Sequence, residues 1–303
     1  MVATALTFEE LFDSEFLSAL ETFDLRIKRF IRQGRHGEQL SHDRGFGQEF
    51  KDFKAYVPGD DLRAVDWNIY QRLGRLFVHV FEEYQELPLY LLVDRSKSMF
   101  HEDPPRIRAG LRTALALGSI AASQHDVVSL FSFSDDLNMN TQSISSKGHV
   151  ITLARQMVEL HELNGTQLSE VLKLLAVQKL RRGLLVIISD FFDPEGIQAI
   201  TEATKLVRHK VLLVQLIKAS DADPTVNADI VGDLRLVDCE TQGAIDVTIA
   251  PQVLREYTRV YQAFNKDLSE LADGLGSGLV QIDIEEPILD QLSTIFQTRN
   301  LLI

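Results

Sequence analysis

From residue 87 onward the chain alternates short, mainly apolar runs with longer segments of helical period. The runs are Leu87–Val93, Val127–Phe133, Leu184–Ser189, Val211–Ile217 and Leu279–Ile284. A strand that is apolar at every position, rather than at every second one, is covered on both faces, as in a parallel sheet flanked by helices. Helical patterns fill the intervals at about 105–124, 149–161, 167–180, 194–208 and 251–273, and a short helix closes the chain. A polar segment up to Lys147 suits an edge hairpin. The mixed runs 230–237 and 245–249 suit a small antiparallel excursion. Strands alternating with helices predict an α/β fold with a doubly wound, mostly parallel sheet across residues 87–303.

The first 86 residues have a different rhythm. Leu11, Phe16, Leu17, Leu20, Phe23, Ile27 and Phe30 recur at helical spacing and predict an amphipathic helix, broken near Asp13-Ser14. Residues 33–47 have no apolar period and read as a loop. Residues 50–57 and 76–84 read as strands around the turn Pro58-Gly59-Asp60-Asp61. Trp67 is expected to anchor a core, and Asp60, Asp61, Arg63, Asp66 and Arg72 to form an ion-pair network. Residues 1–86 are therefore expected to form an N-terminal helix-plus-strands subdomain.

Composition narrows the function. Lys and Arg number 31 against 44 Asp and Glu, a net charge of −13, which disfavours nucleic acid and anionic membrane. The densest basic cluster, Arg26, Lys28, Arg29, Arg32 and Arg35, falls mostly on a helix as a solvated face. A single cysteine, Cys239, excludes an intrachain disulfide and a thiolate zinc site, and its acidic flanks suit a structural thiol. No apolar stretch approaches the roughly 20 residues of a membrane span, and residues 1–10 lack a signal-peptide pattern, so the expected location is cytoplasmic. G-x-x-x-x-G-K-[ST], G-x-S-x-G and H-E-x-x-H are all absent. His36 and His42 read as solvated loop residues, and His101 and His125 sit in no base motif.

The candidate chemistry lies at the ends of two apolar runs. Leu87–Val93 leads into Asp94-Arg95-Ser96-Lys97-Ser98, a D-x-S-x-S motif, and Leu184–Ser189 leads into Asp190. Asn164-Gly165-Thr166-Gln167 adds a third hydroxyl between two helical patterns. Carboxylates and hydroxyls are hard oxygen donors suited to Mg²⁺, Mn²⁺ or Ca²⁺. In neighbouring parallel strands, Asp94 and Asp190 would converge at one sheet edge with Thr166 between them. The alternative is that these residues only cap helices and close turns, Thr166 being the best candidate N-cap.

This ordered set resembles the metal-ion-dependent adhesion site of von Willebrand factor type A domains. Asp94, Ser96 and Ser98 match its first element, Thr166 its second and Asp190 its third. The resemblance implies a von Willebrand factor type A-like, Rossmann-like fold. It further implies a cation touched directly by the hydroxyls, aspartates acting often through water, and one position left for a partner's Asp or Glu. Upstream, Arg44-Gly45-Phe46-Gly47-Gln48-Glu49-Phe50, then Tyr56-Val57-Pro58-Gly59-Asp60-Asp61-Leu62-Arg63, Asp66-Trp67 and Arg72 resemble the signature of a bacterial family known as domain of unknown function fifty-eight. That likeness implies a partnership with a MoxR-type AAA+ ATPase.

The leading expectation is a non-enzymatic, divalent-metal-dependent protein-binding module in chaperone-like or assembly work. A metal-dependent hydrolase or phosphoryl-transfer enzyme at the same sheet edge is the rival. A scaffold that binds through its N-terminal subdomain, with metal only stabilising the fold, is a third. Arg95 and Lys97, interleaved with the ligands, have no role assigned by the sequence.

Overall fold

The computed structural model describes residues 6–34, 48–60, 62–83, 87–101, 103–140, 142–224, 232–240, 243–276 and 278–299. The chain divides into two compact units, residues 1–34 with 87–303, and residues 35–86. In chain order the elements are α1 (Phe8–Leu11), α2 (Ser14–Gly34), β1 (Gln48–Ala55), α3 (Trp67–Leu73), β2 (Phe77–Glu83), β3 (Leu89–Asp94), α4 (Arg106–Ser123), β4 (Val128–Phe133), β5 (Leu137–Met139), α5 (Val150–Val158) and α6 (Leu168–Ala176). There follow β6 (Leu184–Ser189), α7 (Gly196–Thr204), β7 (Lys210–Ile217), α8 (Ala219–Ala222), β8 (Gly232–Val237), β9 (Ala244–Ile249), α9 (Pro251–Gly274), β10 (Leu279–Asp283) and α10 (Ile288–Arg299).

The larger unit is built on a six-stranded sheet ordered β10-β7-β6-β3-β4-β5, parallel except where β5 runs against β4. Renumbered within the sheet this is 3-2-1-4-5-6, the doubly wound order that binds ligands where the winding reverses, beyond the strands' carboxyl ends. The reversal falls between β3 and β6. The apolar runs are explained by burial on both sides. Leu89, Leu91 and Val93 of β3 and Val186 and Ile188 of β6 enter the core under α4 and α10, while Tyr90, Leu92, Leu185 and Ile187 enter the core under α6, α7 and α9. Gly183 opens β6 where a Cβ would lie 2.1 Å from the Pro88 carbonyl oxygen, so only glycine lets the two strands begin side by side.

Residues 6–34 belong with the sheet rather than with residues 48–83. Phe12, Phe16, Leu20, Phe23 and Ile27 are buried in the sheet's core. Arg112 of α4 donates Nε–H to the Leu11 carbonyl at 2.7 Å, with its guanidinium carbon 4.8 Å from the Phe16 ring centroid. Ser119 donates to Asp24 at 2.7 Å, and Phe23 meets Phe296 edge-on. The apolar stripe of α2 needed a partner surface, and the largely buried helix α4 supplies it.

In the smaller unit β1 and β2 form an antiparallel ribbon, and Val65 and Val78 are buried. Asp66 caps α3 by accepting the N–H groups of Asn68 and Ile69 at 2.8 and 3.0 Å. Asp60 accepts from Lys54 at 2.7 Å and from the Val57 N–H at 3.0 Å, fixing the turn. Trp67 is 57% exposed, so it is not the core anchor expected. Two strands and a two-turn helix enclose too little volume to swallow an indole, and Trp67 instead meets Tyr70 edge-on at the surface. Arg44–Gly47 of the family signature, Asp61, His36, His42 and the side chains of the basic cluster at 26–35 lie outside the described residues.

Candidate metal centre

Val93 pairs with Ile188 in the parallel register, so Asp94 leaves the sheet level with Ser189, and Asp190 follows one residue later at the switch point. Both are sealed from solvent, at 0% and 2% exposure. Asp94 Oδ1 accepts the Ser96 N–H at 2.9 Å, and Oδ2 accepts the Ser189 hydroxyl at 2.5 Å. Ser189 Oγ in turn accepts the Phe191 N–H at 2.9 Å. Asp190 Oδ1 accepts the Phe192 N–H at 3.1 Å, while Oδ2 is buried with no hydrogen-bond partner. Phe191 holds φ at +63°, a strained conformation for an aromatic residue, where the chain turns beneath the two carboxylates.

The hydroxyls are not spent on capping. Ser96 precedes a 3₁₀ turn over Lys97–Met99 but makes no side-chain cap bond, and its hydroxyl pairs with that of Ser98 at 3.1 Å. Thr166 is buried, and helix α6 starts two residues later with its first N–H, that of Leu168, bound to Asp193 at 2.7 Å. Gln167 rather than Thr166 is therefore the N-cap residue, against the capping alternative. Its loop is laced to the first one through Arg95, whose carbonyl accepts the Leu163 N–H at 2.9 Å and whose Nε–H donates to the His161 carbonyl at 2.7 Å. Arg95 is thus a buried strut between loops, the role the sequence did not assign.

Burial raises the Asp94 carboxyl to about 7, helped by the charge of Asp190 and opposed by its bonds from Ser189 and Ser96. Burial also pushes Asp190 up, with the neighbouring Ser98 hydroxyl and the Arg106 charge acting the other way. Two sealed carboxylates repel, and a buried oxygen with no hydrogen-bond partner is costly unless a proton or a cation meets it. The donors present, two carboxylates and three hydroxyls, fit a hard divalent cation. Among the described residues no three of His, Cys, Asp and Glu form a metal-holding cluster, so the hydroxyls and water would have to complete the shell.

Residues 52–267 match the family described as "Protein of unknown function DUF58". The chain belongs to this family. Among curated relatives, the Uncharacterized protein Mb1516 of Mycobacterium bovis and the Uncharacterized protein Rv1480 of Mycobacterium tuberculosis are each 24% identical over 275 residues, covering 89% of this chain and 85% of theirs. Among solved structures, the chain is similar to the conserved hypothetical protein BatB from Bacteroides thetaiotaomicron (16% identity, TM-score 0.39, 70% of this chain and 100% of that one). It is also similar to the SpRpn10 VWA domain (11% identity, TM-score 0.41, 69% and 95%). The fold assignment of this DUF58 chain rests on its own strand order and register.

Four contributors to the site carried no signal in the sequence. Glu240, in the β8–β9 turn, accepts the Ser98 N–H through Oε1 at 3.1 Å and the Gly165 N–H through Oε2 at 3.0 Å. Gly165 has φ at +81°, which turns its N–H outward at little steric cost. Ser189, Asp193 and Arg95 act through bonds to residues 25 to 95 positions away, beyond the reach of any local motif. Cys239 is half-buried beside the site, its thiol pushed up by burial and by the charges of Glu240, Asp238 and Asp190. His101 binds the Lys97 carbonyl through Nδ1 at 3.1 Å. Among the described residues no helix is long and apolar enough to cross a membrane.

Proposed function

We propose that the protein is a divalent-cation-dependent protein-binding module. The observation that carries this reading is the pair of sealed aspartates, Asp94 and Asp190, at the sheet's switch point, one with an oxygen that no donor reaches. Ser96, Ser98 and Thr166 would touch Mg²⁺ (or Mn²⁺ or Ca²⁺), and the two aspartates would supply charge and orient water. A cation held by few anionic ligands keeps its attraction for an incoming carboxylate, so the partner would present an Asp or Glu. Phe192, beside Asp190 and 45% exposed, offers an apolar contact to the residues flanking that acid. Chaperone-like or assembly work with a MoxR-type AAA+ ATPase, implied by the family resemblance, supplies the partner to try first. The reading places the protein among non-enzymes.

Calorimetric titration of Mg²⁺ and Mn²⁺ into chelator-stripped protein, with Asp94→Ala as control, tests the proposal. Binding to the wild type that disappears in the variant supports it. If neither protein binds metal, with or without an acidic partner present, the proposal fails.

A further inference from the structure

Glu240 bridges the two loops that carry the proposed ligands. Its two oxygens take one backbone N–H from each ligand-bearing loop, Ser98 on the first and Gly165 beside Thr166 on the second. Such N–H groups at a cation's edge are the donors a partner's carboxylate would use for the oxygen not facing the metal. The Glu240 N–H is itself bound by Asp238 at 2.9 Å, which fixes the turn in its carboxylate-forward form.

The hairpin that carries Glu240 is poorly held by packing. Among the described residues β8 and β9 pair only with each other, and Leu236, Val237 and Ile245 are exposed. A two-stranded hairpin in water is marginal by itself. The charges of Glu240, Asp238 and Asp190 all act on the Cys239 thiol, which places Cys239 beside the site. A carboxylate that bridges two loops through their backbone N–H groups, on a hairpin with little apolar burial, is suited to being exchanged.

We propose that the β8–β9 hairpin is a latch: Glu240 is a tethered carboxylate that occupies the acceptor place of the cation site and is displaced by a partner's Asp or Glu. This rests on the cation-site reading above. The partner class follows from the exchange: an exposed acidic side chain that brings enough flanking contact to outcompete a tethered one. Release would swing the exposed apolar tip of the hairpin away from the site, so capture of an acidic partner and exposure of a second surface become one event.

The single cysteine next to Glu240 reports the latch directly. The rate at which a thiol reagent modifies Cys239 is measured on the full chain at pH 8.5, in Mg²⁺ or in chelator. Acetate serves as the competing carboxylate, against chloride at equal ionic strength. Modification through local opening tracks the population of the open form. Glu240 also raises the thiol by its charge, so rates are compared at equal thiolate fraction. On that basis Glu240→Ala should raise the rate about tenfold or more, the loss of two charge-assisted hydrogen bonds, with Glu240→Gln intermediate. Acetate should accelerate the wild type in Mg²⁺ and not in chelator, and should do nothing further to Glu240→Ala. Equal rates for wild type and Glu240→Ala, or no response to acetate in protein that binds Mg²⁺ calorimetrically, overturn the latch and leave the cation site standing. Absence of Mg²⁺ binding overturns both.

Discussion

Ser189 donates its hydroxyl to Asp94 across 2.5 Å, joining the ends of two neighbouring parallel strands inside the sealed edge of the sheet. Removing a donor from a buried carboxylate costs about 1–3 kcal/mol when nothing replaces it. Ser189→Ala is expected to lose that much at pH 8 in urea denaturation of metal-free protein. The loss should be smaller at pH 5, where Asp94 is protonated and needs the donor less.

The raised Asp94 carboxyl makes the metal-free fold sensitive to pH. Unfolded, the group titrates near 3.8; folded, near 7. Between those values the folded chain holds a proton that the unfolded chain has lost, so stability falls as pH rises through the window. Thermal melts of chelator-treated protein should therefore show a higher Tm at pH 5 than at pH 8, with this difference shrinking in Asp94→Asn. The same variant should be more stable than wild type at pH 8 without metal, and saturating Mg²⁺ should stabilise only the wild type.

Gly183→Ala tests whether the seam between β3 and β6 is as tight as it looks. The added carbon would meet the Pro88 oxygen at 2.1 Å, so backbone must move. A loss of about 3 kcal/mol or more is expected, at the upper end of overpacking costs. Mg²⁺ affinity should fall with it, because the two aspartates leave from that seam.

Trp67→Ala should change stability by no more than about 0.5 kcal/mol, as for other exposed positions. Its fluorescence in the wild type should be readily quenched by acrylamide. A shielded, blue-shifted emission would mean that a surface covers this residue in solution.

Much of the sheet was legible because its strands carry apolar residues on both faces, a pattern that only double burial explains. Asp94 and Asp190 were legible for the same reason, since each directly ends such a run. Trp67 misled because hydrophobic size suggests a core without saying whether enough chain surrounds it. The place of α2 was hidden because an amphipathic stripe names no partner; only the near-complete burial of α4 revealed it. Glu240 was illegible for a plainer reason: it reaches Ser98 from 142 residues away, and no spacing encodes that meeting.

The bond from Ser189 to Asp94 spans 95 positions of chain, and its consequence is kinetic. Parallel strands so far apart must find each other before either aspartate has a neighbour, and closing that distance is slow. A cation captured at the seam would arrive only after the two strands have met. It would leave the refolding rate nearly untouched and slow unfolding instead. The cation would then act as a lock on a finished sheet, setting how long the fold endures rather than how quickly it forms.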